Sequence, residues 1–365
     1  MIASRELLRM VHSVAQAPDN SELSFADYQE SLYRPGFDGL RGVGFLMVVT
    51  AHIPAVALFS YLQGWTAVWV FFVISGYLVA MLLIREERGY GRIAYGAFLI
   101  RRFFRIVPSY YVAVVIYGVA VYVLPPLADE YQAFMVQLYL ALMPEYAHTS
   151  DFTIFVHSWI VGIELKFYVF FPLVFLVTRD ATWRFAVTAL TAALLIANGS
   201  FTANSYCALL FGVMLAQLLE WPRAYAAVAA LTRVKVVVPL GFVVALFVML
   251  RYTEQLTAVA AVATYLVAYV MLQRGALLRL LEYRPLVYLG RRSYGAYLLH
   301  VLAIHIGYML FGSTTTLAGL LTTAFTLAVT IPAAEVLYRL VERPGMDFGK
   351  RLASKPIAKG RGTGA

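Results

Sequence analysis

Gly39-Leu40-Arg41-Gly42-Val43-Gly44-Phe45-Leu46-Met47-Val48-Val49-Thr50-Ala51-His52-Ile53 is an apolar stretch with an arginine near one end and a histidine near the other. Its character suits a membrane span, where ionisable side chains are costly to keep and usually serve a function. Arg41 and His52 are eleven residues apart. At ~100° per residue that is ~1100°, about 20° from three whole turns, so both side chains face the same way. A rise of ~1.5 Å per residue sets them roughly 16 Å apart along the axis, about half the hydrocarbon thickness. A cation near the membrane surface is thus aligned with an imidazole expected near mid-membrane.

The rest of the chain extends this reading. Of the 365 residues 61% are hydrophobic and only 13% charged, with mean hydropathy +0.74, a surface no soluble domain would expose. A net charge of +9 can signal nucleic-acid binding, but the basic residues lie between apolar stretches instead of on one polar domain, which excludes that class. Apolar stretches predict ten spans, at about 39–60, 65–84, 107–126, 158–178, 184–198, 204–220, 236–250, 256–272, 293–311 and 316–338. The fold expected is an all-α polytopic membrane bundle.

Charge alternates along the linkers. The 85–106 link carries Arg85, Arg88, Arg92, Arg101, Arg102 and Arg105, whereas Pro126 to His157 carries no Lys or Arg. Short basic loops stay in the cytoplasm, so both termini are expected there, with an even number of spans. Residues 1–36 form a cytoplasmic or interfacial segment with a short helix near Ser24–Glu30, residues 37–345 the membrane domain, and 346–365 a basic, disordered cytoplasmic tail. Glu342-Arg343-Pro344 is expected to end the tenth span, because proline cannot continue a helix. A single cysteine, Cys207, rules out an internal disulfide, and no zinc-type or phosphate-loop motif is present, so no metal is expected.

Other ionisable residues fall at membrane depth. His157, Ser158 and Trp159 open the fourth span, and Glu164, seven residues after His157, shares its face, with Tyr168 extending it. Lys166 points elsewhere, towards an acid on another helix or the interface. The ninth span places Ser293, Tyr294 and His300 beyond Arg292, the last roughly 12 Å along at helical rise, with His305 further on. Each has a plainer reading: an intramembrane histidine can be a satisfied hydrogen-bonder, cytoplasmic arginines anchor almost every membrane protein, and small serines let helices approach.

Together these residues resemble the membrane acyltransferase-3 family, integral membrane enzymes that modify sugars. Arg41 and His52 match its Arg-x10-His signature, preceded by Phe37-Asp38-Gly39-Leu40-Arg41-Gly42. Phe71-Phe72-Val73-Ile74-Ser75-Gly76-Tyr77 is similar to its second-span motif, and Arg101-Arg102-Phe103-Phe104-Arg105-Ile106-Val107-Pro108 to its basic cytoplasmic motif. His157-Ser158-Trp159 with Glu164, Ser293 through His300, and Glu342-Arg343-Pro344 complete six elements in order over most of the chain. Where many members carry two acids and then Gln, this chain has Glu164-Leu165-Lys166, leaving one acid to carry over.

The resemblance implies transfer of an acyl group, usually acetyl from cytoplasmic acetyl-coenzyme A, to a hydroxyl of a glycan such as exopolysaccharide, lipopolysaccharide or a lipid-linked sugar, in a bacterial cytoplasmic membrane. On this reading His52 is the general base on the acceptor hydroxyl or, as the alternative, a transient acyl carrier, Glu164 orients or charge-balances an imidazole, and Arg41, Arg102 and Arg105 are phosphate ligands of the donor. His157, Trp159, Tyr168, Ser293 and His300 would contact substrate. Nothing long and polar follows the tenth span in this sequence, so acylation is expected within the membrane domain or through a separate glycan-assembly partner. The alternative class is a transporter of a glycolipid or ion with midplane ionisable residues, disfavoured because no internal duplication is visible. A non-catalytic scaffold is disfavoured by the intact Arg41/His52 pair.

Overall fold

The computed structural model describes residues 23–31, 33–124, 127, 133–149, 154–233 and 256–358, and among them every regular element is a helix. The main ones are α1 (Phe25–Glu30), α2 (Pro35–Ala51), α3 (Ala67–Tyr90), α4 (Tyr95–Val123), α5 (Trp159–Phe170) and α6 (Ala181–Asn198). They continue as α7 (Phe201–Leu218), α8 (Leu256–Leu272), α9 (Arg284–Phe311), α10 (Thr316–Leu337) and α11 (Arg343–Ala358). Among the described residues, seven helices are long and apolar enough to cross a membrane. Two more, α2 and α8, have 17 residues each and fall on the expected first and eighth spans. The expected seventh span at 236–250, Arg251 and the ends 1–22 and 359–365 lie outside the described residues. Val115 on α4, Leu190 on α6 and Leu317 on α10 are exposed, as lipid-facing side chains would be.

Several boundaries differ from expectation, among them the ninth span, which begins at Arg284 and not at 293, and three have a local reason. The first span, expected to run to residue 60, stops at Ala51: Pro54 lacks an N–H and disfavours helix before it, so His52 caps α2 instead of lying within it. The third begins at Tyr95 and not at Val107, so Arg101, Arg102 and Arg105 sit on α4 itself. A hydropathy window excludes arginine, yet its long apolar stem can lie along a helix while the guanidinium reaches a polar site. The tenth is not ended by Pro344. Tyr338–Glu342 form a π turn, in which the Arg343 N–H bonds the Tyr338 carbonyl five residues back, and the helix then runs on as α11 to Ala358. The widened turn accommodates the ring that would clash in an unbroken α-helix. The beginning of the expected disordered tail is therefore helical.

Two helix crossings fix the bundle, and both depend on glycine. A Cβ on Gly42 would lie 2.4 Å from the Leu286 carbonyl oxygen and one on Gly290 1.6 Å from that of Asp38, while one on Gly39 would lie 1.7 Å from that of Leu281, at the end of the short helix Ala276–Leu281 before α9. Backbones of α2 and α9 thus touch directly. Gly76 and Gly212 do the same for α3 and α7, against the carbonyls of Leu209 and Val73 at 1.9 and 2.1 Å. Such small-residue seams let helices approach in a lipid environment, where packing replaces the hydrophobic drive. Gly290→Val should therefore destabilise the bundle by at least about 1–3 kcal/mol, because the obstructing atom is backbone. Thermal unfolding in detergent checks this, with Gly118→Val, which meets open space on α4, as the control.

Both described ends of the chain pack where α3 finishes and α4 begins. Arg85, near the end of α3, donates to the carbonyls of Ser31 and Tyr28, and the buried Arg34 donates to the Met271 carbonyl at 2.7 and 3.1 Å. At the same end α11 packs along the start of α4, where a Cβ on Gly345 would lie 2.6 Å from the Phe104 carbonyl oxygen.

Candidate active site

A cavity of about 270 Å³ opens at that end, between α2, α3, α4, α5, α9 and the π turn. It gathers Arg41, Arg102, Arg105, Glu164, Tyr168 and Ser293, so that Glu164, expected to serve an imidazole, stands among the arginines instead. Their positions follow from helix register: Arg41 opens α2, Arg102 and Arg105 open α4, Ser293 is in the first half of α9, and Glu164 and Tyr168 stand one turn apart on α5. Ser75 of α3 donates a hydrogen bond to Glu164, so this serine, read from sequence as a packing residue, holds a carboxylate. The Arg102 guanidinium lies over the Tyr168 and Phe98 rings, 5.1 and 5.4 Å from their centroids, a cation–π arrangement.

The cavity also contains residues that sequence reasoning passed over. Asp38 lies 3.6 Å from Arg41 and accepts from Arg291 at 3.1 Å and from the Tyr33 hydroxyl at 2.6 Å, while Arg291 also donates to that hydroxyl at 2.7 Å. Burial and the bond to Asp38 push the Tyr33 phenol up to about 12, so it remains a donor. Glu342, buried in the π turn, has one carboxylate oxygen without a partner. The signals were present: Asp38 precedes Arg41 by three residues, and Arg291 adjoins Arg292. Arg292 itself is occupied elsewhere, donating to Glu335 at 2.6 Å. Lys166 pairs with Glu145, which stands on the turn Pro144–Thr149 instead of on another long helix.

The histidines form a second group, outside this cavity. His52 and His300 face each other edge-on with ring centroids 5.1 Å apart, and His157 lies 5.0 Å from His300. Each ring is tied to a backbone carbonyl. His52 Nδ1 is 2.9 Å from the Val48 oxygen, His300 Nδ1 2.6 Å from that of Tyr297, and His157 Nε2 3.2 Å from that of Leu298. A carbonyl only accepts, so those nitrogens carry the hydrogens and the opposite nitrogen of each neutral ring is a lone-pair acceptor. For His157 and His300, both buried, that second nitrogen has no partner. His52 is exposed, at the end of α2, with its free nitrogen Nε2. Among the described residues no group of side chains is arranged to hold a metal ion. Trp159 joins neither group; it is packed between Phe72 and Phe201, at 5.7 and 4.9 Å.

The arrangement therefore separates two chemistries. Guanidinium groups and carboxylates line a cavity at the arginine-rich end, suited to holding an anionic, phosphate-bearing molecule. Beyond it lie three imidazoles with free lone pairs, suited to accepting hydrogen bonds from hydroxyls or taking a proton.

Comparison with known proteins bears on the same residues. The acyltransferase-3 model, described as an acyltransferase domain, matches residues 34–336. The chain is 27% identical over 367 aligned positions to the "Putative O-acetyltransferase SAS0844" of Staphylococcus aureus MSSA476, covering 89% of this chain and 59% of the relative. It is also 27% identical to the O-acetyltransferase OatA of Staphylococcus aureus NCTC 8325, covering 90% of this chain and 60% of that one. The chain thus spans about three-fifths of the length of the curated relatives it matches. No solved structure matches it.

Proposed function

The chain belongs to the acyltransferase-3 family, and from that premise we propose that it is an integral membrane O-acyltransferase carrying acetyl from cytoplasmic acetyl-coenzyme A to a glycan hydroxyl. The acceptor class is an exopolysaccharide, a lipopolysaccharide or a lipid-linked sugar, and the membrane is the cytoplasmic membrane of a bacterium. One observation carries the reading: an arginine-lined cavity and a cluster of lone-pair imidazoles stand in series on α2, α5 and α9.

Arg41, Arg102 and Arg105 fit the donor's phosphates, since a guanidinium grips phosphate oxygens in forked geometry. Arg102 is supported from behind by two rings, which leaves its N–H groups available to a ligand. The thioester supplies an activated acyl carbon. Glu164, held by Ser75, balances the guanidinium charge in the cavity. His52 Nε2 takes the acceptor's hydroxyl proton as the oxygen forms its bond to the acyl carbon and the carbon–sulfur bond breaks. The proton then returns to the departing sulfur. Its Nδ1–H, anchored on Val48, fixes the tautomer that makes Nε2 the base. His157 and His300 offer their free nitrogens to neighbouring acceptor hydroxyls.

The test is incorporation of radiolabel from acetyl-coenzyme A by purified protein in lipid, with and without total cell-envelope glycan. Glycan-dependent incorporation is the expected result. No incorporation by folded protein across several acyl donors and glycans would overturn the reading in favour of transport or of a missing partner.

A further inference from the structure

The cavity and the imidazoles are in series, and none of the three imidazoles lines the cavity wall. On α9 the cavity-lining residues run Arg291, Ser293, Tyr294 and Tyr297 and then stop, with His300 three residues on, roughly 4.5 Å at helical rise. On α5 they begin at Ile160, three residues after His157. Among the described residues, Tyr297 alone both lines the cavity and makes ring contact with the imidazoles. Its centroid is 5.4 Å from that of His157 and 5.3 Å from that of His300. The ring is buried and pinned, its hydroxyl donating to the His157 carbonyl at 2.8 Å.

A molecule held by the arginines must pass this ring to bring its reactive carbon to His52. Resting on the donor reading above, we propose that Tyr297 is the septum between the arginine-lined cavity and the imidazole cluster, and that its ring sets the acyl length allowed through. A short acyl group passes with a small displacement of the phenol. A longer one requires the ring to leave its place between His157 and His300 and to break the bond to the His157 carbonyl. Tyr297 is in this sense a specificity-determining residue, and the hydroxyl acts as the latch that keeps the ring across the passage.

The experiment compares acetyl-, propionyl- and butyryl-coenzyme A as donors for the full chain in lipid nanodiscs. Tyr297→Ala should raise the butyryl-to-acetyl ratio of kcat/KM by roughly tenfold or more, the range two methylenes typically command in a shaped apolar passage. Tyr297→Phe, which keeps the ring but loses the latch, should raise the ratio too, by less than Tyr297→Ala. A second readout needs no turnover: in a Cys207→Ala background, a cysteine introduced by His300→Cys should react with a small charged thiol reagent about tenfold faster once Tyr297→Ala is added, because burial suppresses thiol reactivity. Should Tyr297→Ala fail to fold, Tyr297→Leu carries both readouts. An unchanged donor ratio together with unchanged labelling would overturn the septum. Faster labelling with no turnover of any donor by the wild type would uphold the barrier and overturn the donor reading instead.

Discussion

His52→Gln should lower acyl transfer by about 10²–10⁴-fold while leaving donor affinity intact, because it removes a general base without touching the arginine-lined cavity. Glutamine preserves size and polarity but cannot take a proton. Its amide nitrogen can still donate to the Val48 carbonyl, which His52 Nδ1 now bonds at 2.9 Å, so the end of α2 should hold its shape. Binding of a non-hydrolysable donor analogue, measured by calorimetry, separates the two effects. Normal turnover in the variant would remove His52 from the chemistry. Lost binding would mean that the cavity and the imidazoles are one site, contrary to the separation described above.

Arg41→Lys should give the opposite split: donor KM raised about 10–100-fold, the worth of roughly 1.5–3 kcal/mol in lost charged hydrogen bonds, with kcat changed far less. A lysine keeps the charge but presents one compact ammonium where the guanidinium offers a fork. Arg41 stands 3.6 Å from Asp38, and Asp38 has Arg291 and Tyr33 as further partners, so the acid is not left alone by the change. Arg292→Lys is the informative control, since that guanidinium is engaged with Glu335 outside the cavity. It should leave donor affinity unchanged. A fall in kcat at constant KM for Arg41→Lys would move this residue from binding to catalysis.

The helical membrane architecture was legible because hydropathy reports length and apolarity directly, and most expected spans coincide with helices. The ends were less legible, for identifiable reasons. Arginines at 101, 102 and 105 interrupt a hydropathy window although their stems lie along α4, and Pro344 reads as a stop until the π turn that absorbs it is seen. Within the site, helical arithmetic put Arg41 and His52 on one side of α2; His52 does meet His300 of α9, and Arg41 shares the cavity wall with Arg291 and Ser293 of that helix. Arithmetic on one helix carries no information about what other helices insert between two of its residues. Here Tyr297 closes the cavity before the imidazoles are reached. Asp38, Ser75 and Glu342 stood inside the matched motifs with no role in the site, and Arg291 outside them, for a related reason: only distant helices bring these residues to one cavity wall.

The glycine seam between α2 and α9 gives the cavity two walls of unequal compliance. Arg41, Tyr297, His52 and His300 all ride on helices whose backbones are in direct contact, and that wall behaves as the fixed jaw of a vice. Arg102 and Arg105 ride on α4, which packs on α11 and is tied to α9 by the Tyr294 hydroxyl donating to the Ile106 carbonyl at 2.9 Å. A π turn is a rare, single-turn irregularity within a helix. Between α4 and the α2–α9 wall the hydrogen bonds therefore run through tyrosine side chains, and a mutation at Tyr338–Glu342 would act on the α11 that supports α4 without altering any group placed against the acyl carbon.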